Sequence, residues 1–252
     1  MIEKIIHYCW FGGGGYSDLE IQCMASWKEK LPDYKIIKWD ETNFPINEHP
    51  YAKQAYDAGK WAFVSDYARV WVLYNYGGIY LDTDYEIIDS LDSYLDHDVF
   101  IGVENNEYIG TAIMGAKKGN WLMGEMLNYY NTHPFALRNG KFDMIPNTMV
   151  LTDIMCSNGY ARGQSALIKG IYVGTCMEFY PAGRCGCKDG TTAGIHYFRG
   201  SWWSEKERKR STSKIYKRFF RPILVKGKKI IMRVLGPALG RKIEIKVKNI
   251  MK

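Results

Sequence analysis

The chain has 252 residues, of which 46% are hydrophobic, 24% are charged and 15% are aromatic. This composition excludes a wholly disordered chain, and no apolar run reaches the ~18 residues that a membrane-spanning helix needs. The net charge of +7 is divided unevenly, because residues 205–252 carry 17 Lys and Arg against 3 Glu, whereas residues 1–204 carry a net charge of −7.

Strands and helices are predicted to alternate along the first part of the sequence. The segment 4–11 is rich in β-branched and aromatic residues and ends at four glycines, which is typical of a buried strand. Ser17 can cap a helix over 17–31, and the almost entirely apolar segment 61–76 predicts a buried helix that ends at Gly77. The other predicted strands are 34–39, 79–82, 85–88, 99–103 and 110–116, and the other predicted helices are 51–58, 121–131 and 148–157. This alternation predicts an α/β fold with a sheet between helices.

Two aspartates, Asp82 and Asp84, follow the apolar strand segment 78–81 with one residue between them. Ligands of open α/β sheets bind at such carboxyl ends of strands. Carboxylate oxygens suit Mg²⁺ or Mn²⁺, which typically join a protein to the phosphates of a substrate. Taken alone, Asp-Thr-Asp also fits a surface turn, because both residue types favour turns.

The buried helix 61–76 carries two charged residues, Asp66 and Arg69, three positions apart and therefore on one face. A buried charge costs several kcal/mol unless it is paired. Two interpretations stay open: the two side chains pair only with each other, or they reach the same pocket as Asp82 and Asp84.

The segments 62–69 and 77–84 together resemble the sugar-nucleotide core of the DXD-containing glycosyltransferases. The resemblance is to the bacterial capsular-polysaccharide and yeast mannosyltransferase type, which is glycosyltransferase family 32-like and related to the glucosylating domain of large clostridial toxins. Segment 5–13 resembles the first strand of that family, and 195–202 resembles its closing motif. The resemblance implies a GT-A-like nucleotide-binding fold, with a central mixed sheet between helices, over residues 1–204.

The resemblance also implies a role for each matching residue. Asp82 and Asp84 would bind the metal, with His196 as a further ligand, and Asp66 and Arg69 would grip hydroxyl groups of the donor sugar. The implied catalytic residues are Asp82, Asp84, Asp66 and Arg69. A further group would contact the nucleotide and its diphosphate: Cys9, Trp10, Ser65, Tyr80, Ser201 and Trp202.

The activity implied by the resemblance is retaining, metal-dependent transfer of a hexose from a nucleotide sugar to a saccharide. Mn²⁺ or Mg²⁺ would neutralise the leaving diphosphate, and a UDP-sugar is preferred over a GDP-sugar as donor. Glu104 and Asp153 are candidates to position the acceptor. The alternative is a metal-dependent phosphohydrolase that uses Asp82 as nucleophile, which gives Trp10 and Arg69 no role.

The basic segment 205–252 interleaves Lys and Arg with apolar residues, which predicts an amphipathic helical tail that binds an anionic membrane surface. A solvated helix packed on the body remains an alternative, whereas no recognisable nucleic-acid module is present and nucleic acid is not an expected partner. The start of the chain lacks the features of a signal peptide, and six scattered cysteines favour reduced thiols. We therefore expect a cytoplasmic enzyme, bound peripherally to the inner face of the membrane, that acts on a lipid-linked saccharide in capsule or surface polysaccharide synthesis.

Overall fold

A computed structural model of the chain describes residues 1–105, 107–181 and 191–199. Every helix and strand predicted from the sequence is present within a few residues of its predicted bounds. The strands are β1 (Ile5–Cys9), β2 (Lys35–Trp39), β3 (Gly78–Leu81), β4 (Tyr85–Ile87), β5 (Val99–Val103), β6 (Ile109–Ala116), β7 (Ala166–Ile168), β8 (Ile171–Gly174) and β9 (Gly194–His196). The helices are α1 (Asp18–Lys30), α2 (Pro50–Asp57), α3 (Trp61–Tyr76), α4 (Trp121–Thr132), α5 (Asn147–Ser157) and α6 (Cys176–Phe179).

Seven strands form one central sheet in the order β2-β1-β3-β6-β5-β8-β7. Strand β1 pairs in parallel with both β2 and β3, and β5 pairs in parallel with β8. The pairs β3–β6, β5–β6 and β7–β8 are antiparallel. The sheet is therefore mixed, as predicted, and a separate antiparallel pair, β4–β9, lies beyond the end of β3.

The sheet buries both of its faces under helices. Successive residues of a strand point to opposite faces, and in β3 the side chain of Tyr80 packs in one hydrophobic cluster while Ile79 and Leu81 pack in another. The first cluster contains apolar residues of α2, α3, α4 and α5, and the second contains Trp27 of α1 and Phe179 of α6. The predicted α/β class, with a sheet between helices, is confirmed.

A tight turn leads from α3 directly into β3. Gly77 ends the helix at φ 70° and Gly78 follows at φ 91°, a region that residues with a side chain rarely adopt. A Cβ atom at Gly78 would lie 2.7 Å from the carbonyl oxygen of Ile5 in the neighbouring strand. The two glycines therefore let β3 run back alongside the helix, which places Arg69 of α3 near Asp82 at the end of β3.

The side chain of His7 is fully buried beneath this turn. Its Nδ1 accepts a hydrogen bond from Trp39 Nε1 at 3.0 Å, so its Nε2 carries the hydrogen and donates to the carbonyl oxygen of Gly77 at 2.9 Å. Burial lowers the pKa of His7 from 6.5 to about 4. The neutral ring is therefore part of the folded structure.

We expect the chain to lose stability as the pH falls from 6.5 to 4, because in this range His7 binds a proton in the unfolded state but stays neutral in the folded state. The stabilisation is fully present above pH 6.5 and is lost as the pH falls through the folded pKa of about 4, and about 2 kcal/mol of it is lost between pH 7.5 and pH 5.0. Urea unfolding at pH 7.5 and pH 5.0 measures it, with His7→Gln as the comparison because glutamine does not titrate. Parallel pH dependence in the two proteins would contradict this assignment.

The thiols differ in part from the prediction. Cys9, Cys23 and Cys156 are free, whereas Cys176 is disulfide-bonded, so the prediction of reduced thiols throughout is wrong at Cys176. Within residues 1–105, 107–181 and 191–199, the helices are all too short or too polar to cross a membrane. The predicted domain boundary at residue 204 and the basic segment 205–252 lie outside the described residues.

Candidate functional site

Two aspartates and a histidine meet at the end of β3. Asp82 and Asp84 follow that strand directly, and the antiparallel pairing of β4 with β9 places His196 opposite Tyr85. One ligand atom each from Asp82, Asp84 and His196 lies within 4.8 Å of the others. The structure thus brings together the three residues that the resemblance assigned to the metal.

The carboxylate of Asp84 is held from both sides by the segment that contains β9. Its Oδ1 lies 3.2 Å from Nε2 of His196, and its Oδ2 accepts a hydrogen bond from the backbone N–H of Arg199 at 2.9 Å. Burial alone would raise the pKa of Asp84, but His196 and the backbone N–H groups that bind Asp84 together outweigh it and hold that pKa below its ordinary value. Burial likewise opposes the charge of His196, yet Asp84 keeps the pKa of His196 above its ordinary value.

This group of side chains fits a divalent cation. Two carboxylates and one imidazole are ligands that Mn²⁺ accepts, and Mg²⁺ prefers the carboxylate oxygens. The side chains of Asp84 and His196 are 14% and 13% exposed, so a bound cation would be partly enclosed by protein. A cation that binds His196 would displace the proton that the ring shares with Asp84, which makes its binding dependent on pH.

Arg69 joins Asp66 to Asp82. Its Nη2 lies 3.1 Å from Asp66 Oδ1, and its Nη1 lies 3.2 Å from Asp82 Oδ1. The Arg69 side chain is only 7% exposed, and its Nε and Nη1 also donate to the backbone oxygens of Ser65 and Thr111. The interpretation that the two side chains pair only with each other is therefore wrong: Asp66 and Arg69 do pair, but Arg69 also reaches Asp82 after β3.

Asp66 is a buried carboxylate whose charge is only partly compensated. Burial raises its pKa to about 7, while Arg69 and a hydrogen bond from Asn147 Nδ2 at 2.7 Å act in the opposite direction. The two protein donors, Arg69 Nη2 and Asn147 Nδ2, both bind Oδ1 of Asp66. The side chain is 16% exposed, and neither of these two contacts occupies Oδ2.

Tyr80 and Cys9 adjoin the same network from the sheet. The Tyr80 hydroxyl donates to Asp82 Oδ1 at 3.0 Å, and the guanidinium of Arg69 lies 4.5 Å from the centre of the Tyr80 ring. The thiol of Cys9 is buried, and this burial raises its pKa to about 12 although Arg69 opposes the shift. Cys9 is therefore a neutral thiol in the wall of the site rather than a nucleophile.

Two further residues predicted to contact the nucleotide, Trp10 and Ser65, have side chains that hydrogen-bond to backbone oxygens. Trp10 Nε1 donates to the backbone oxygen of Gly14 at 2.6 Å, and the Trp10 ring packs at 4.5 Å from that of Tyr16. The Ser65 hydroxyl donates to the backbone oxygen of Trp61 at 3.1 Å. Ser201 and Trp202 lie outside the described residues.

The two candidates for positioning an acceptor differ in their surroundings. The charge of Glu104 contributes to the raised pKa of His196, which places Glu104 near the proposed metal ligands. Asp153 forms an ion pair with Arg162.

Sequence reasoning missed three residues that hold the site together. Asn147 binds Asp66, Thr111 binds Asn147 at 2.9 Å, and Arg199 binds Asp84 through its backbone. The side chain of Arg199 also contacts Ser17 and Glu20 at the start of α1. The only local signal was the Pro146-Asn147 pair at a predicted helix start, which indicates a helix boundary and not a ligand.

Comparison with known proteins finds one family model and two yeast proteins that are similar to part of this chain. Residues 17–101 match the family described as "Glycosyltransferase sugar-binding region containing DXD motif". Inositol phosphoceramide mannosyltransferase 3 of Schizosaccharomyces pombe is 28% identical over 141 residues, which are 54% of this chain and 36% of that protein. Inositol phosphoceramide mannosyltransferase 2 is 29% identical over 123 residues, 46% of this chain and 34% of that protein. The chain therefore spans about a third of the length of each yeast relative.

Two solved structures are also similar to the chain. The PaToxG glycosyltransferase has a TM-score of 0.46 at 22% identity, covering 62% of this chain and 70% of that one. A glycosyltransferase involved in the glycosylation of the major capsid of PBCV-1 has a TM-score of 0.46 at 11% identity, covering 82% and 98%. The family match and the yeast relatives confirm the resemblance to DXD-containing glycosyltransferases that the sequence predicts.

Proposed function

We propose that this chain, whose residues 17–101 match the DXD sugar-binding region of glycosyltransferases, transfers a hexose from a nucleotide sugar to a saccharide acceptor with retention of configuration. The observation that carries the proposal is the position of Arg69 between Asp66 and Asp82. Arg69 thereby joins Asp66, which suits sugar hydroxyls, and Asp82, which suits a metal, in one site. The expected donor is a UDP-sugar in preference to a GDP-sugar.

We propose that one group of side chains binds the diphosphate end of the nucleotide sugar and another group binds its sugar. Asp82, Asp84 and His196 would hold Mn²⁺ or Mg²⁺, which supplies a Lewis acid for the departing diphosphate. Asp66 offers Oδ2 as an acceptor for a hydroxyl of the donor sugar. Arg69 donates from Nε and Nη1 to the backbone oxygens of Ser65 and Thr111, forms ion pairs with Asp66 and Asp82, and is proposed to contact a second oxygen of the donor sugar.

Arg69 and Tyr80 also keep Asp82 fixed. Tyr80 donates a hydrogen bond to Oδ1 of Asp82 and Arg69 forms an ion pair with the same oxygen, so neither contact occupies Oδ2. A carboxylate that is held in this way suits the binding of a cation, because its geometry is set before the ligand arrives. The alternative of a phosphohydrolase with Asp82 as nucleophile has less support, because it gives the buried Asp66–Arg69 pair no substrate to bind.

The acceptor is proposed to be a saccharide linked to a lipid. The yeast relatives are named for the mannosylation of inositol phosphoceramide, which is a lipid. The basic segment 205–252 carries a net charge of +14, which suits an anionic membrane surface. We accordingly place the enzyme in the cytoplasm, bound to the inner face of the membrane, in the synthesis of capsule or another surface polysaccharide.

Thermal unfolding in the presence of nucleotides tests the proposed donor. UDP with Mn²⁺ is expected to raise the melting temperature, because a ligand that binds only the folded state stabilises it. GDP with Mn²⁺ is expected to have a smaller effect, and UDP with EDTA little effect. Stabilisation by phosphomonoesters but not by either nucleotide would favour the phosphohydrolase instead.

Removal of residues 204–252 tests the proposed attachment to membranes. The truncated chain loses all 17 basic residues of the tail, and the remaining body is net acidic, so anionic vesicles should repel it. The intact chain is expected to sediment with anionic vesicles less as salt rises, because salt screens charges within ~10 Å at 0.1 M. Equal sedimentation of the intact and truncated chains would show that the tail is not the anchor.

A further inference from the structure

Thr111 is a buried polar residue on β6 whose hydroxyl takes no direct part in the proposed reaction. Its side chain donates to Asn147 Oδ1 at 2.9 Å, and Asn147 Nδ2 in turn donates to Asp66 Oδ1 at 2.7 Å. Thr111 and Asn147 are each 5% exposed. The three side chains form a continuous series of hydrogen bonds from the central sheet to the carboxylate of Asp66.

The hydroxyl of Thr111 donates a hydrogen bond to the oxygen of the Asn147 amide. With its oxygen bound by Thr111, the amide presents its NH₂ group to Asp66. Without that hydroxyl the buried Oδ1 of Asn147 would lack its donor, and a buried polar atom without a partner is unfavourable. The amide would then turn or shift, and its hold on Asp66 would weaken.

We infer that Thr111 is a positioning residue for the donor sugar, because it fixes the Asn147 amide that turns Oδ2 of Asp66 toward the substrate. The inference rests on the proposed function, in which Asp66 binds a sugar hydroxyl. Arg69 Nη2 and Asn147 Nδ2 are both on Oδ1 of Asp66, so a loss of the Asn147 contact lets the carboxylate rotate about the single contact that remains. Small displacements of a binding group reduce the rate of a reaction strongly.

A substitution of the Thr111 side chain removes its hydroxyl contact and keeps its backbone contact. Arg69 Nη1 donates to the backbone oxygen of Thr111 at 2.8 Å, and this contact does not depend on the side chain. The hydrogen bond from Asn147 also favours the charged form of Asp66, so its loss should raise the pKa of that carboxyl. The titratable groups that face Asp66 from the surrounding elements are Arg69, Asp82, Tyr51, Tyr130 and Cys9.

Kinetics with the preferred nucleotide sugar test the inference. Thr111→Val, which keeps the shape and removes the hydroxyl, is expected to lower kcat/KM by at least about tenfold. The affinity for UDP with Mn²⁺ should not change, and the acid limb of the pH profile should move to higher pH. Thr111→Ser, which keeps the hydroxyl, is expected to restore most of the kcat/KM. Thr111→Ala makes the same deletion with less bulk, in case valine does not fit.

Thr152 provides the matched control. It is a fully buried threonine whose hydroxyl accepts from the backbone N–H of Ile109, also on β6. Thr152→Val is expected to lower the melting temperature and to leave kcat/KM and its pH profile unchanged. Equal kinetic losses in Thr111→Val and Thr152→Val, or full activity in both Thr111→Val and Thr111→Ala, would overturn the inference.

A measurement without substrate separates this inference from the proposed function. The ¹³C chemical shift of the Asp66 carboxyl, followed against pH in the free protein, reports its ionisation directly. We expect the midpoint to lie at higher pH in Thr111→Val than in the wild type and in Thr152→Val. An unchanged midpoint would overturn the coupling of Thr111 to Asp66 even in an active enzyme. A shifted midpoint in a protein without transferase activity would instead count against the proposed function alone.

Discussion

Asp84→Asn is expected to reduce sugar transfer by at least ~100-fold, the scale of loss when one electrostatic partner is removed from an active site. Both oxygens of Asp84 are engaged in the free protein, one with His196 and the other with the backbone of Arg199. An amide replaces one oxygen by a donor and removes the charge, so it is a poor ligand for a hard cation. The loss should appear both in kcat/KM and in the affinity for Mn²⁺ measured by electron paramagnetic resonance.

Asp98→Asn is the control for this substitution. Asp98 is a half-exposed carboxylate that pairs with Lys117 at 2.7 Å, away from the strand end where the site lies. It undergoes the same chemical change, and both transfer and Mn²⁺ affinity should stay at the wild-type level. Near-normal turnover of Asp84→Asn with Mn²⁺ present would remove Asp84 from the proposed metal ligands.

Arg69→Met is expected to destabilise the fold by about 3–5 kcal/mol, the usual effect of removing one partner from a buried ion pair. Methionine preserves much of the bulk of the side chain but leaves Asp66 and Asp82 without their shared cation. The loss should be greater at pH 8 than at pH 6. The reason is that Asp66 already has its pKa raised to about 7, and without Arg69 that pKa rises further.

The raised pKa of Asp66 explains why the loss of stability in Arg69→Met grows with pH. A carboxyl whose folded pKa is raised binds a proton in the folded state that the unfolded state has released, so its contribution is lost as pH rises through the folded pKa. Urea unfolding of the wild type and Arg69→Met at both pH values measures the difference. Lys53→Met is the control, because Lys53 forms an exposed ion pair with Asp57 that should be worth less than about 1 kcal/mol. A loss in Arg69→Met no larger than that control would show that the buried network is not structural.

Local patterns in the sequence were enough to predict most of the body of the fold. The helix α3 and the strand β3 that follows it are adjacent in sequence, so their apolar content and the two glycines between them predicted both elements and their junction. This placed Asp66, Arg69, Asp82 and Asp84 at one end of the sheet. The sequence did not predict which of these charges would pair, because that depends on the exact path of the turn at Gly77 and Gly78.

Contacts between distant segments could not be predicted from residue patterns. Strand β9 has three residues, too few for a periodic signal, and exists because it pairs with β4 more than 100 residues earlier. Thr111 and Asn147 are 36 residues apart, and Asn147 and Asp66 are 81 apart, with nothing in either neighbourhood to indicate a bond. The resemblance to the family anticipated His196, whereas residue patterns alone did not.

The release of nucleotide from sugar donors tests the central claim most directly. The intact chain is incubated with a panel of UDP- and GDP-sugars in the presence of Mn²⁺, and the free nucleoside diphosphate is measured with and without EDTA. We predict release from one or a few UDP-sugars that stops with EDTA and is lost in Asp84→Asn. Absence of release from every donor in the panel, combined with metal-dependent cleavage of phosphomonoesters, would contradict the assignment of a glycosyltransferase.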